Sequence, residues 1–217
     1  MITAVLMSWK RKPNMPLIVE ALRSQTVPVE IWMINNNGTE DFGADRTAFF
    51  YPSTGEWARY VIAGRVETEY VMFQDDDFML GDSTFLADAL QIHADKCSDN
   101  ILGVAGRGLQ HTPPHYWPDI IDVDSYAHIL KGHFQLFKTN IVKRIRIPQY
   151  PSSSDIYWSL EAGNGKAVHY VSQTLHRRLK PLDQHGVGYE FRPEHWLERE
   201  EVCRQWLAEH RRFGRPE

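Results

Sequence analysis

Short apolar runs alternate with amphipathic stretches along the first hundred residues of this chain. Residues 3–7, 29–34 and 70–73 are apolar runs of strand length, and polar or turn-forming residues follow each of them. Between these runs, residues 16–24 and 57–66 place apolar side chains at helical spacing. The alternation of strand and helix predicts an α/β fold built on a parallel, doubly wound sheet.

The middle of the chain shows a weaker pattern. Residues 85–94 are predicted to be helical, and residues 101–104 and 136–137 are short strand candidates. Residues 106–125 are rich in Pro, Gly, His and Asp, which indicates a loop over a site.

The last predicted element is a helix from about residue 194 to residue 210. Its apolar stripe would contain Trp196, Cys203, Leu207 and His210. Because the chain has 217 residues and shows neither a repeat nor an internal linker, we expect residues 1–217 to form a single domain.

Composition narrows the class of protein and its compartment. The formal net charge of −4 gives no global reason to expect a nucleic-acid-binding protein. The two cysteines, Cys97 and Cys203, suggest neither a disulfide framework nor a zinc site, and a reducing compartment fits best. No apolar run reaches the length of a membrane span, and residues 1–9 are too short for a signal-peptide core. We therefore expect a cytoplasmic protein.

The candidate chemistry centres on Asp75, Asp76 and Asp77, the acid run, which directly follows the third apolar run. Adjacent carboxylates repel each other unless a positive charge neutralises them. Ligands bind open α/β sheets beyond the carboxyl ends of strands, which is where the acid run is predicted to lie. Mg²⁺ or Mn²⁺, bound by one or two carboxylates and by substrate phosphates, satisfies both conditions. A solvated acidic turn that caps the next helix is the alternative interpretation.

The acid run resembles the Asp-x-Asp element of glycosyltransferases with the GT-A fold. Residues 6–11 are similar to the first strand of these enzymes, which ends in an arginine near the nucleotide. Arg59, in the predicted second helix, is similar to the arginine that helps to hold the nucleotide diphosphate. Residues 29–36 resemble the second strand of family 2 and of the exostosin-type transferases (family 64), and Asn35-Asn36 is closer to the exostosin type.

The resemblance implies a GT-A-like sheet in which residues 1–100 form a Rossmann-like nucleotide-sugar-binding half and residues 101–217 an acceptor half. Asp75 or Asp76 would bind the ribose, and Asp77 would ligate Mn²⁺ or Mg²⁺. The remaining donor contacts would come from Arg11, Asn35, Asn36 and Arg59. Guanidinium groups bind phosphate bidentately, and an amide both donates and accepts, as a uracil edge requires. Without the resemblance, an Asn-Gly turn and surface arginines explain the same residues.

Further candidates lie in the second half. Asp155 stands at the predicted start of a helix, where it either caps the helix or acts as the carboxylate that GT-A enzymes place near the acceptor hydroxyl. His185 matches the late histidine that many GT-A enzymes use as a metal ligand, with His195 as the alternative. Arg107 resembles a basic residue that lines the donor or acceptor cleft of exostosin-type domains, and it is a further candidate for binding the nucleotide-sugar. His133 is interpreted as a structural histidine of a strand.

Charge is distributed unevenly along the second half. Residues 138–180 contain eight Lys and Arg against two acidic residues, an excess of six positive charges. Such a run usually forms a solvated face, but here it would flank Asp155 on the acceptor side. That placement permits an anionic acceptor: an acidic glycan, a phosphorylated lipid carrier or DNA that carries hydroxylated bases.

The sequence therefore predicts a metal-dependent glycosyltransferase that moves a sugar from a nucleoside-diphosphate sugar, with a UDP-sugar as the first candidate, to an acceptor hydroxyl. If Asp155 acts as a base in an in-line attack, the product is inverted. If the exostosin likeness holds, configuration is retained and Asp155 only stabilises charge or positions the acceptor. One alternative is a nucleotidyltransferase that makes nucleotide-sugars, although the segment after the first strand lacks the expected glycines. The other is a non-catalytic module that binds a sugar nucleotide or a glycan.

Overall fold

The computed structural model of the chain describes residues 1–111, 114–116, 119–145, 153–183 and 194–212. The strands are β1 (Ile2–Ser8), β2 (Val29–Asn36), β3 (Arg46–Phe50), β4 (Tyr70–Gln74), β5 (Phe78–Leu80), β6 (Leu102–Gly103), β7 (Gly106–Arg107), β8 (Leu109–His111), β9 (Pro114–Tyr116), β10 (Ser125–Ala127), β11 (Ile129–Leu130), β12 (Phe134–Lys138), β13 (His169–Val171) and β14 (Leu179–Pro181). The helices are α1 (Met15–Arg23), α2 (Ala58–Ala63), α3 (Phe85–Lys96), α4 (Thr139–Lys143), α5 (Ser154–Gly163), α6 (Gln173–His176) and α7 (His195–Arg212), and a 3₁₀ turn spans Lys12–Asn14.

The elements of the first half confirm the predicted alternation. The three predicted strands are β1, β2 and β4, and the two predicted helices are α1 and a shorter α2. The sequence pattern missed β3, which is an edge strand that pairs only with β2. Its residues are half-buried or exposed, so they carry no apolar run of the kind that marks a buried strand.

The second half matches the pattern less closely. The predicted helices at 85–94 and 194–210 are α3 and α7, and the strand candidates at 101–104 and 136–137 are β6 and β12. The prediction of a continuous loop over residues 106–125 is wrong, because β7, β8 and β9 lie within it. β7 pairs with β11, which is more than twenty residues away, and strands of two or three residues are too short to show a periodicity.

The main sheet is mixed and mostly parallel. Its strand order is β10-β13-β6-β12-β4-β1-β2-β3. The four strands β3, β2, β1 and β4 are parallel to one another, whereas β12 runs antiparallel to both β4 and β6. This topology confirms the predicted α/β class with a mostly parallel sheet.

Helices cover both faces of this sheet, as the side chains of β1 show. Ile2, Ala4 and Leu6 lie in a core cluster with the buried side chains of α1 and α3. Val5 points to the opposite face and packs with α2, α4 and Trp158 of α5. Successive residues of a strand face opposite sides, so a central strand covered on both sides is apolar throughout.

The helices α5 and α7 pack against each other through a smaller cluster. Its apolar members are Ile156, Tyr157, Leu160, Val202, Cys203, Trp206 and Leu207. Polar pairs join the same helices: Trp206 Nε1 donates to Glu161 Oε1 at 2.8 Å, His210 Nε2 lies 2.7 Å from the same oxygen, and Arg199 binds Asp155. We call these five polar and aromatic residues the α5–α7 junction. No helix among the described residues is long and apolar enough to cross a bilayer.

Candidate active site

Parallel pairing brings the carboxyl ends of β1, β2 and β4 to one edge of the sheet. In the register of the sheet, Ser8 lies opposite Asn35, and Leu6 lies opposite Gln74. The loop that carries Arg11 and the acid run that follows Gln74 therefore begin side by side. This is the edge at which open α/β sheets bind their ligands.

Two arginines neutralise the acid run. Arg11 Nη1 lies 2.6 Å from Asp76 Oδ1, and Arg11 Nη2 lies 3.6 Å from Asp77 Oδ2. Arg59, in the first turn of α2, donates from Nη1 and Nη2 to Asp75 Oδ1 at 3.1 Å each. Both guanidinium groups are buried, which strengthens their attraction to the carboxylates. The structure thus brings together Arg11, Arg59 and the acid run, which are five of the charged residues that the sequence analysis assigned to the donor and its metal.

Backbone and amide contacts fix the turn that holds these carboxylates. Gln74 Nε2 donates to the Phe78 carbonyl at 2.6 Å and so spans the acid run. The Asp75 N–H donates to the Gly132 carbonyl at 3.1 Å. A Cβ at Gly132 would lie 2.5 Å from Asp75 Oδ2, so this close approach requires glycine.

Asn14 and the segment after β14 hold the other side of the turn. Asn14 Nδ2 donates to the Asp76 carbonyl at 2.8 Å and to the Asp183 carbonyl at 2.9 Å. The Leu182 N–H donates to the Asp77 carbonyl at 2.7 Å. Three distant parts of the chain therefore meet at the acid run. Sequence reasoning missed Asn14, because the Asp76 and Asp183 carbonyl groups that it binds leave no trace in the sequence.

The acid run suits a metal that is shared with a ligand. Within the described part of the chain, no group of three or more His, Cys, Asp and Glu side chains converges as a metal site. A Mg²⁺ or Mn²⁺ ion that binds substrate phosphates needs only one or two carboxylates from the protein. Burial raises the pKa of Asp76 although Arg11 opposes the shift, so a second cation nearby would favour its ionised form. The role of Asp77 as such a ligand stays a prediction, and His185 lies outside the described residues.

Asn35 and Asn36 are buried at the end of β2, and their amide groups bind protein atoms. Asn35 Nδ2 donates to the Glu40 carbonyl at 2.6 Å. Asn36 Nδ2 lies 3.2 Å from Met7 Sδ, and Asn36 Oδ1 accepts from the Thr54 hydroxyl at 3.1 Å. These contacts shape the loops that follow β2 and β3. A direct contact between either amide and a nucleobase stays a prediction.

Asp155 is not a helix cap. It is the second residue of α5, and Ser153 holds the N-cap position without a capping side-chain hydrogen bond. Both Asp155 oxygens accept from Arg199 of α7, with Oδ1 3.2 Å from Nη1 and Oδ2 2.9 Å from Nη2. Burial acts to raise the pKa of Asp155, but the charge and hydrogen bonds of Arg199 outweigh it and lower the pKa. The carboxylate is therefore ionised and clamped.

Two further cations lie close to this pair. Arg107 of β7 is buried, and its guanidinium carbon lies 5.5 Å from the centre of the Trp196 ring. Lys131 follows β11, which pairs with β7, and its backbone N–H donates to the Ala105 carbonyl at 2.9 Å. Burial and the positive charges of Arg199 and Arg107 lower the pKa of Lys131. The structure thus places the predicted Arg107 beside a lysine that sequence reasoning did not select.

His133 lies in the turn before β12, so its interpretation as a strand histidine is wrong. Its ring packs 4.4 Å from the ring of Phe78, next to the acid run. Burial and the charge of Lys131 lower the pKa of His133 to about 4, so the imidazole is neutral at neutral pH. Gly132, which precedes His133 in this turn, packs against the Asp75 carboxylate.

The sequence contains a signal that Arg199 lies on the buried face of the last helix. Trp196, Arg199 and Cys203 are three and four residues apart, so the arginine interrupts the apolar stripe of the last helix. A charged residue on a buried helix face requires a partner of opposite charge. The sequence pattern does not, however, indicate that the partner is Asp155.

The basic residues of segment 138–180 lie at different places in the fold. Lys138 lies opposite Tyr70 in the sheet, at the far end of β4 from the acid run, and α4 follows it there. Arg178 is bound to Asp82 at 2.6 Å and to Asp88 at 2.7 Å. The expected placement on the acceptor side is therefore wrong for Lys138 and for the basic residues of α4, because β12 runs antiparallel to β4 and carries them to the opposite edge. Lys180 pairs with Met79 of β5 and so lies near the acid run.

Solved structures resemble the fold of this chain, although no protein-family model and no curated protein sequence matches it. S. aureus TarS 1-349 in complex with UDP has a TM-score of 0.64 at 14% identity, over 96% of this chain and 64% of that one. S. aureus TarS in a longer form has a TM-score of 0.62 at 16% identity, over 98% of this chain and 43% of that one. The mannosyltransferase PcManGT from Pyrobaculum calidifontis, in complex with GDP-Man and Mn²⁺, has a TM-score of 0.64 at 15% identity, over 100% of this chain and 65% of that one.

These matches establish the fold. The chain adopts the GT-A fold, as TarS and PcManGT do. This result confirms the fold resemblance inferred from the acid run and from the segments around it. The chain spans less than two thirds of the length of each of these solved chains.

Proposed function

We propose that this protein is a metal-dependent glycosyltransferase that moves a sugar from a nucleoside-diphosphate sugar to an acceptor hydroxyl. The observation that carries the proposal is the meeting of the acid run with Arg11 and Arg59 at the carboxyl edge of a GT-A sheet. One similar structure holds UDP and another holds GDP-Man and Mn²⁺. A UDP-sugar is our first candidate for the donor, and a GDP-sugar is the second.

In this proposal the arginines and the aspartates of the site bind different parts of the donor. Arg11 and Arg59 bind the diphosphate, for which a planar guanidinium is well suited. Asp75 or Asp76 binds the ribose, and Asp77 holds Mn²⁺ or Mg²⁺, with His185 as a second ligand. The metal ion supplies positive charge beside the departing diphosphate. Asp155 and Arg107 line the acceptor side of the cleft.

The candidate acceptors are a glycan, a lipid carrier and a hydroxylated DNA base. Lys138 and α4 lie at the far edge of the sheet and do not support an anionic acceptor, but Arg107 and Lys131 leave positive charge near Asp155. Phosphate contacts weaken steeply with salt because counterions are released. Transfer to an anionic acceptor should therefore fall as sodium chloride is raised, whereas transfer to a neutral oligosaccharide should not.

Calorimetry with UDP and with GDP tests the proposal. Binding should require MnCl₂ or MgCl₂, should disappear with EDTA, and should be lost in Asp77→Ala. Asp99→Ala is the control, because this carboxylate is exposed and lies far from the acid run. If neither nucleotide binds in the presence of either metal, the protein is not the proposed enzyme. Equal affinity in EDTA would contradict the role of the metal.

A further inference from the structure

A buried ion pair joins α5 to α7 beside an apolar cluster. Two guanidinium nitrogens of Arg199 donate to the two carboxylate oxygens of Asp155, at 3.2 Å and 2.9 Å. The side chain of Arg199 is 9% exposed and that of Asp155 is 14% exposed. A bidentate pair of this kind fixes both the position and the orientation of the carboxylate.

Packing alone gives no reason for charge at this position. The neighbouring residues of the two helices form an apolar cluster that includes Ile156, Val202 and Cys203. Removing two charges from water costs free energy, and a well-packed apolar pair in the same place is often equally stable or more stable. The pair of Asp155 and Arg199 therefore needs another reason than the packing of the two helices.

Contacts of α5 place Asp155 close to the acid run. Ser159, one turn after Asp155, donates from its hydroxyl to the Asp155 carbonyl at 2.8 Å and accepts from the Leu130 N–H at 3.0 Å. Two residues after Leu130, the Gly132 carbonyl accepts from the Asp75 N–H at 3.1 Å. Consecutive Cα atoms are about 3.8 Å apart, so those of Leu130 and Gly132 are at most about 7.6 Å apart. A short stretch of chain therefore joins the first turns of α5 to the acid run.

A second contact ties α5 to the helix that carries Arg59. The ring of Trp158, three residues after Asp155, lies 5.3 Å from the ring of Tyr60, which directly follows Arg59 in α2. In keeping with this contact, burial acts to raise the pKa of Asp155, but positive charges that include Arg199 and Arg59 lower it. The first half of α5 therefore lies beside both parts of the candidate donor site.

We propose that Arg199 is a positioning residue of the transfer reaction, which holds the Asp155 carboxylate ionised and in one orientation to accept a hydrogen bond from the acceptor hydroxyl. The inference rests on the proposed glycosyltransferase function. Each carboxylate oxygen has two lone pairs, so each Asp155 oxygen can bind Arg199 and still accept a second hydrogen bond. A group that is fixed before the acceptor arrives needs no rearrangement at the moment of reaction. Through this arginine, α7 becomes part of the acceptor side.

If Arg199 acts through Asp155, its removal should have no further effect once the Asp155 carboxylate is gone. The test measures release of nucleoside diphosphate from UDP-glucose, UDP-N-acetylglucosamine and GDP-mannose with water as the acceptor, and calorimetric affinity for UDP and GDP with MnCl₂. Arg199→Met and Asp155→Asn should each slow the release about 100-fold, with nucleotide affinity as in the wild type. The double variant should be no slower than Asp155→Asn alone, because residues that act as a unit give non-additive losses.

Two further variants separate positioning from folding. Arg199→Lys keeps the charge and loses the planar fork, so it should recover part of the rate. Arg204→Met is the matched control and should match the wild type, because Arg204 lies on the same helix and is exposed. Urea unfolding of every variant gives the folded fraction, and rates are compared per folded protein. The same cycle with Arg199→Lys applies if Arg199→Met does not fold.

The outcomes distinguish this inference from the proposed function. A normal rate in the Arg199 variants that fold would overturn the positioning role and leave the proposed function in place. So would a double variant in which the two single losses multiply, because Arg199 would then act independently of Asp155. Absence of nucleotide binding, or of any release from the three sugars, in the wild type would instead remove the proposed function and this inference with it.

Discussion

The acid run and the α5–α7 junction are two charged regions of the molecule that are built in different ways. The acid run follows β4, and backbone hydrogen bonds to Gly132 and Leu182 fix its turn. At the junction, side chains make the polar connections between the helices, as in the pair of Asp155 and Arg199. A region that is fixed by its backbone can lose a side chain and keep its shape. A region that is fixed by side-chain pairs loses stability with each of them.

The largest expected effect follows from this contrast. Asp155→Asn removes one charge of a buried ion pair, and losing one member of such a pair costs about 3 kcal/mol. As a helix cap, Asp155 would tolerate asparagine; as the partner of Arg199, it should not. Urea unfolding should show the loss as a lower free energy of unfolding. Asp75→Asn in the acid run should cost less than about 1 kcal/mol, because that carboxylate is 30% exposed.

The double variant Asp155→Leu with Arg199→Met separates the charge from the packing. Replacing both members of a buried pair with apolar residues is often neutral, so this variant should be more stable than Asp155→Asn. If Asp155→Asn and Asp75→Asn lose equal stability, the distinction between the two regions fails.

Acid should destabilise the side of the sheet on which α5 packs. His169 of β13 is fully buried, its Nε2 lies 2.7 Å from the Ser159 carbonyl of α5, and its Nδ1 accepts from the Ile101 N–H at 3.3 Å. Burial lowers the pKa of His169 from 6.5 to about 4, although the bond to Ser159 opposes the shift. The unfolded chain therefore binds more protons between these values, and stability falls as the pH drops from about 6.5 to about 4.

We expect His169 to account for about 2 kcal/mol of the stability lost between pH 7.5 and pH 5. Urea unfolding at both pH values measures this loss. The loss should shrink in His169→Gln, which cannot titrate, and should persist in His176→Gln, which removes an imidazole from α6. An unchanged pH dependence in His169→Gln would show that this histidine does not couple folding to protonation.

The two regions also differ in how much of them the sequence can predict. Asp75, Asp76 and Asp77 follow an apolar run, and the rule that parallel strands end at one edge brings them to Arg11. The partner of Asp155 is 44 residues away on another helix, and no periodicity or motif links the two. Local patterns predict strand ends, whereas a pair between distant helices depends on how those helices pack.

Contacts that depend on how distant parts of the chain pack also explain the smaller errors of the sequence analysis. The basic residues of 138–180 are close in sequence, but the reversal of chain direction at β12 carries Lys138 to the far edge of the sheet. The amides of Asn35 and Asn36 are buried, and their protein partners are contacts that a strand-end pattern cannot reveal.

Arg59→Ala tests the acid run through binding. A charge-assisted contact with a diphosphate is worth about 1.5 kcal/mol or more, so UDP affinity should fall tenfold or more. The free energy of unfolding should change less, because backbone bonds to Gly132 and Leu182 hold the turn. Arg65→Ala is the matched control, since Arg65 is exposed just beyond α2. An unchanged dissociation constant for UDP in Arg59→Ala would remove this arginine from the donor site.

The smallest expected effect belongs to Asn14, which joins the acid run to the segment that leads toward His185. Asn14→Ala removes the two hydrogen bonds to the Asp76 and Asp183 carbonyls. Each such bond contributes about 1 kcal/mol, and water can replace part of the loss, so we expect a cost of about 1 kcal/mol in the free energy of unfolding. Leu182 still binds Asp77, so the turn should keep its shape.

If His185 is a metal ligand, Asn14→Ala should also weaken Mn²⁺-dependent UDP binding. The double variant with His185→Ala should then lose less binding free energy than the sum of the losses in the two single variants. Fully additive losses would show that Asn14 does not act through His185.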